Sequence, residues 1–72
     1  VNYPPALPHL ILASQDSDLD VRKAAINSLG KMGDRTALEA LQTLLNDPQE
    51  VIRVLAKLAI AQIDRQAEGD DW

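Results

Sequence analysis

The chain reads Asp20-Val21-Arg22-Lys23-Ala24-Ala25-Ile26-Asn27-Ser28-Leu29-Gly30-Lys31-Met32-Gly33-Asp34, and much of this stretch returns about 31 residues later. Arg22 and Ala25 fall on Arg53 and Ala56, while Val21, Leu29 and Met32 fall on Ile52, Ile60 and Ile63. Working outward, Ala6, Leu7, Leu10 and Asp16 fall on Ala37, Leu38, Leu41 and Asp47. A fixed period of roughly 20–50 residues marks stacked repeats, in which each unit buries its apolar face only against a neighbour. The chain therefore divides into two units, about residues 5–33 and 34–64, followed by an acidic tail over 65–72.

Within each unit the apolar spacing is helical. The first helix is expected from about Pro5 to Ser14, with Pro4, Pro5 and Pro8 in or before its first turn, where a missing N–H costs least. Its apolar face is Leu7, Leu10 and Ile11. Ser14-Gln15-Asp16-Ser17 reads as a polar turn in which Asp16 or Ser17 caps the next helix. That second helix is expected from about Asp18 to Lys31, with Val21, Ala25, Ser28, Leu29 and Met32 on the buried face. Gly33 is a natural left-handed cap, and Asp34 then opens a third helix from Arg35 to Leu45. Leu38, Leu41, Leu44 and Leu45 form its buried stripe. Asn46-Asp47-Pro48-Gln49-Glu50 is the clearest start signal: Asp47 as cap, Pro48 in the first helical position and Glu50 where a capping box places an acid. The fourth helix then runs to about Gln66, and Glu68-Gly69-Asp70-Asp71 reads as a frayed end. The linkers are short, so neighbouring helices form antiparallel hairpins. The fold class is all-α: four antiparallel helices in two helical-hairpin repeats, a solenoid fragment.

Composition narrows the function classes. Apolar residues make up 46% of the 72 residues, yet there is no Phe, so the core is built of Leu, Ile, Val and Ala. With no cysteine the chain has neither disulfide framework nor thiolate chemistry, which fits a reducing, cytoplasmic compartment. The net charge is −4, and Asp64, Glu68, Asp70 and Asp71 against Arg65 alone account for most of it. Basic residues do not cluster, which argues against a phosphate backbone or an anionic membrane surface as partner. The longest apolar runs are far too short to span a bilayer, and no signal peptide is visible.

The stretch from Asp20 to Asp34 resembles a HEAT-like repeat. More narrowly, it is similar to the short repeats of the phycobiliprotein (phycobilisome) lyase family, in which a Val-Arg pair opens the second helix of each unit. Here that pair is Val21-Arg22; Ala24-Ala25, Leu29-Gly30 and Gly33-Asp34 follow at the family's spacings, and Ala37-Leu38-Glu39-Ala40-Leu41 continues the match. The second copy diverges, with Ala61 and Asp64 in place of Gly30 and Gly33. The resemblance implies odd helices in an outer convex layer and even helices in an inner layer that carries binding. It also implies that Arg22 and Arg53 tie units together through loop carboxylates, as Arg22–Asp16, Arg53–Asp47 or Arg53–Asp16 pairs.

No catalytic constellation is present, and no cofactor or metal is expected. His9 has no second His and no Cys to join it as ligand or base, so it reads as a partly exposed, non-catalytic side chain. Asp16, Asp18 and Asp20 have the alternation of a calcium loop but lack its glycine and closing Glu, so they read as acids at a helix start. Tyr3 and Trp72, at the two ends, read as terminal aromatics docked on a neighbour or incidental.

The fourth helix is the anomaly. Its core stripe is Ile52, Leu55, Ala56, Ala59, Ile60 and Ile63, but Val54, Leu58 and Ala61 stand on another side. A helix apolar nearly all round expects cover on more than one side. The expected partner surface is Val54, Lys57, Leu58 and Ala61, with Lys23, Ile26, Asn27 and Lys31 of the second helix as its rim. Ile11 and Leu12 give the first helix a similar excess, so both ends look like cut faces. Repeat arrays of this kind need polar caps and about three units for stability. The module is thus expected to be either part of a longer solenoid or an oligomer through its fourth helix. Its function is expected to be a non-enzymatic protein–protein scaffold; a subunit or chaperone of a phycobilin lyase system is the alternative that the resemblance implies.

Overall fold

A computed structural model describes residues 7–69, with side chains through Gln66. The order is α1 (Leu7–Ala13), α2 (Leu19–Met32), a 3-10 turn (Arg35–Ala37) leading into α3 (Leu38–Leu44), and α4 (Glu50–Gly69). The described residues contain no strand, and the two-hairpin all-α architecture holds. The expected helix start at Pro5, together with Tyr3 and Trp72, lies outside them.

The caps explain the boundaries. Asp18, rather than Asp16 or Ser17, caps α2: its carboxylate accepts from the N–H of Asp20 at 2.9 Å and of Val21 at 3.3 Å. Asp16 acts one step earlier and holds the turn by accepting from the Asp18 N–H at 2.8 Å. α2 ends at Gly33, whose φ of 69° is left-handed, where any side chain is strained. Asp34 accepts from both the Thr36 N–H and the Thr36 hydroxyl, at 2.9 and 2.6 Å. This grip tightens the chain, so the third helix starts as a 3-10 turn. Those same bonds, the hydroxyl first, hold the Asp34 carboxyl below the usual carboxylate range.

Asp47 opens α4 by accepting from the Gln49 N–H at 2.9 Å. The expected capping box with Glu50 does not close, because the Asp47 N–H already donates to the Leu44 carbonyl at 3.1 Å. α4 runs three residues past the expected Gln66, so positions 65–69 of the presumed tail are helical.

The core is one cluster of Leu10, Ile26, Leu29, Ala37, Leu41, Leu44, Ile52, Ala56, Ala59 and Ile63. It forms where α2 packs on α1 on one side and on α4 on the other, while α3 covers α4. That two-sided cover rotates the buried face of α2 away from expectation. Ala25, Ile26, Leu29 and Gly30 are buried, whereas Val21 and Met32 are about two-fifths exposed. Gly30 marks the closest approach: a Cβ there would meet the Ala59 backbone at 3.2 Å and the Gln62 side chain at 2.7 Å. Gln66 adds a polar tie, donating through Nε2 to the Gly30 carbonyl at 3.4 Å. The even helices thus carry the joint between units, and α1 and α3 barely meet.

Candidate partner-binding surface

The joint between units is locked by one charged contact. Arg22, half-buried on α2, donates through Nε to the Ser14 carbonyl of its own loop at 3.4 Å and through Nη2 to Asp47 Oδ1 in the other unit. The Asp47 side chain is only 10% exposed. Its carboxyl is held below the usual range first by the Gln49 backbone N–H, then by the Arg22 and Arg53 guanidiniums, against an opposing push from desolvation. The pairing therefore runs between units, but from Arg22 forward to Asp47; none of the three expected pairs forms. Arg53, the counterpart of Arg22, donates through Nη1 to the carbonyls of Asp47 and Pro48 at 2.6 and 3.1 Å. Both arginines pin the loop before their own helix, and only Arg22 also reaches a neighbouring unit.

α4 places its expected stripe in the core: Ile52, Ala56, Ala59 and Ile63 are buried, and Leu55 and Ile60 pack on the cluster's edge. Val54 and Leu58, on another side, are 50% and 61% exposed. Together with Lys57 they line an open groove of about 360 Å³, with Leu45, Glu50 and Arg53 as its other walls. Sequence reasoning missed those last three. Their signal was that Leu45 and Glu50 flank the turn that Arg53 holds closed. Ala61 is exposed on the same helix outside the groove walls.

The expected rim on α2 fares differently. Asn27 and Lys31 are exposed and Lys23 is half-buried, but none lines the groove. Ile26 is a correction: it is fully buried in the core, because α4 lies against that side of α2. It is absent from any surface.

A second groove, of about 250 Å³, opens at the other end between α1 and α2. Leu10, Ala13, Val21, Ala24, Ala25 and Ser28 line it. Leu12, 68% exposed, stands on the same helix as Ala13. Sequence reasoning placed Val21, Ala25 and Ser28 in a covered stripe and so overlooked this groove.

His9 is exposed on α1. The carboxylates of Asp16 and Asp18 are engaged with backbone N–H groups of the turn. What the surface offers is apolar grip with charged edges, the chemistry of contact. No helix among the described residues is long and apolar enough to cross a membrane.

No curated protein matches the chain. The family described as HEAT repeats matches residues 1–68. Repeats of this family generally mediate protein–protein interaction. The all-α paired helices are consistent with that match, and the chain belongs to the HEAT-repeat family.

Proposed function

We propose that the chain is a non-enzymatic protein-binding module whose contact surface centres on Val54 and Leu58 of α4. The observation that carries this reading is the exposure of those two side chains, 50% and 61%, on a helix whose opposite face is already in the core. Large apolar groups grouped beside charged ones mark a surface built for contact. Lys57, Arg53 and Glu50 supply the charged edge. Lys23, Asn27 and Lys31 extend the surface as a polar margin on α2.

The test is a double substitution, Val54→Glu with Leu58→Glu. Both positions lie outside the core, so helicity is expected to persist while capture of the partner is lost. Undiminished capture with native helicity places the contact elsewhere.

A second reading, a bilin-handling subunit, is supported by the resemblance of Val21-Arg22, Leu29-Gly30 and Gly33-Asp34 to the repeats of phycobiliprotein lyases. Phycocyanobilin added to the chain reports it as an absorbance shift; no shift at high protein concentration removes it.

A further inference from the structure

The two open grooves are lined in large part by the repeat counterparts of side chains that are covered inside the molecule. Shifted by one repeat, Ala13, Val21, Ala24 and Ser28 become Leu44, Ile52, Leu55 and Ala59. In the second unit those four side chains are buried or partly buried, whereas in the first unit they line an open groove. The groove at the far end shifts the other way: Leu45, Arg53 and Lys57 become Ser14, Arg22 and Ile26, which are buried or half-buried in the first unit.

The substitutions between the units make room at one end and add an apolar side chain at the other. The α1–α2 groove carries smaller side chains than its internal counterpart, with Ala13 for Leu44, Val21 for Ile52 and Ala24 for Leu55. The α4 groove carries a larger apolar side chain in one covered place, with Leu45 for the buried Ser14.

The charges match as well. Asp16 is the counterpart of Asp47 and holds its turn the same way: one oxygen accepts from the N–H two residues on, at 2.8 Å against 2.9 Å. In Asp47 the other oxygen receives Arg22. Arg53 is the counterpart of Arg22, and its Nη2 has no partner among the described residues.

We infer that the occupant of the α4 groove is the α1–α2 face of a second copy of this chain, docked head to tail, with Arg53 of one copy on Asp16 of the next. This deepens the binding reading above and rests on it. The joint repeats the internal one without its tightest features. Lys57 stands where Ile26 is buried, and Ala61 where Gly30 lets a neighbouring backbone approach. Association is therefore weaker than the internal packing, and reversible. A heterologous contact of this kind does not stop at two.

The test is complementation by sedimentation velocity on the whole chain. Leu58→Lys blocks the α4 groove and Ala24→Arg blocks the α1–α2 groove. Both side chains are exposed, and circular dichroism checks that each variant is as helical as the parent. The parent is expected to grow beyond a dimer with concentration, and each variant alone to stay a single chain. An equimolar mixture forms a 1:1 pair and no larger species, because one intact groove remains on each partner. Asp16→Asn, which keeps the turn acceptor but removes the charge, weakens parent association several-fold. A parent that stays a single chain up to millimolar concentration overturns the inference. So does an Ala24→Arg variant that still dimerises, since that describes α4 against α4. In either case the double substitution at Val54 and Leu58 still decides separately whether this surface binds another protein.

Discussion

Arg22 and Arg53 hold the same place in two units built to one pattern, yet their surroundings differ. Arg22 bridges its own loop and Asp47 across the joint, while Arg53 holds only its own loop. The same contrast separates Ile26, fully buried, from its counterpart Lys57, which is exposed. It also separates Ile52, buried, from Val21, which is 40% exposed. Position in the repeat sets which way a side chain points. Whether it becomes core depends on whether a neighbouring unit stands there.

This contrast can be broken by moving residues between units. The largest effect is expected from Ile26→Lys, which copies Lys57 into the buried position. An unpaired charge there costs more than about 4 kcal/mol, enough to unfold a domain of this size, read as loss of helicity at ambient temperature. The reverse change, Lys57→Ile, is expected to leave thermal stability of the single chain nearly unchanged and to strengthen association. Next comes the pair Ile52→Ala and Val21→Ala. The first removes a core side chain and costs about 2–5 kcal/mol in urea unfolding; the second costs about 1 kcal/mol or less. Equal losses at the two sites contradict the asymmetry of cover.

Gly33→Ala is smaller. It forces a side chain into left-handed backbone, where its Cβ also meets the Gln66 side chain, and costs about 1–2 kcal/mol. Its counterpart is Asp64, inside α4, where Asp64→Ala is expected to be near neutral.

The smallest effect concerns pH. The Asp47 carboxyl lies lower in the folded chain than its unfolded value of about 3.9, so the unfolded state takes up protons first. Its stabilisation is present above that value and is lost as pH falls through the folded one. Asp47→Asn is expected to flatten the acid limb of a stability–pH curve.

Much of the fold was legible because the signals were local. The stripe Ile52, Leu55, Ala56, Ala59, Ile60 and Ile63 follows from helical spacing, and Gly33, Asp34 and Asp47 announce caps by chemistry that acts over a few residues. The exposed Val54 and Leu58 followed from the same spacing, as the apolar positions left over. What was not legible depended on a second unit. The buried side of α2 turned toward Ile26 and Gly30 because α4 lies against it, which no periodicity within α2 reveals. Arg22 chose Asp47 over Asp16 because the second unit brings that carboxylate within reach, while Glu50 lost its capping role to the local turn in which the Asp47 N–H donates to the Leu44 carbonyl. The groove between α1 and α2 was hidden for a related reason. Its side chains read as core until the absence of cover beside Val21 and Ala24 is seen.

The central claim is that the faces left open at the two ends of the folded two-unit module take each other as partners, copy to copy. Light scattering of the chain across concentration, with helicity recorded in the same samples, tests it most directly. The account predicts a helical chain at every concentration and a mass that rises above that of one chain, reversed by dilution and abolished by Leu58→Lys. A mass that stays at one chain throughout, or that rises equally in the Leu58→Lys variant, would contradict it.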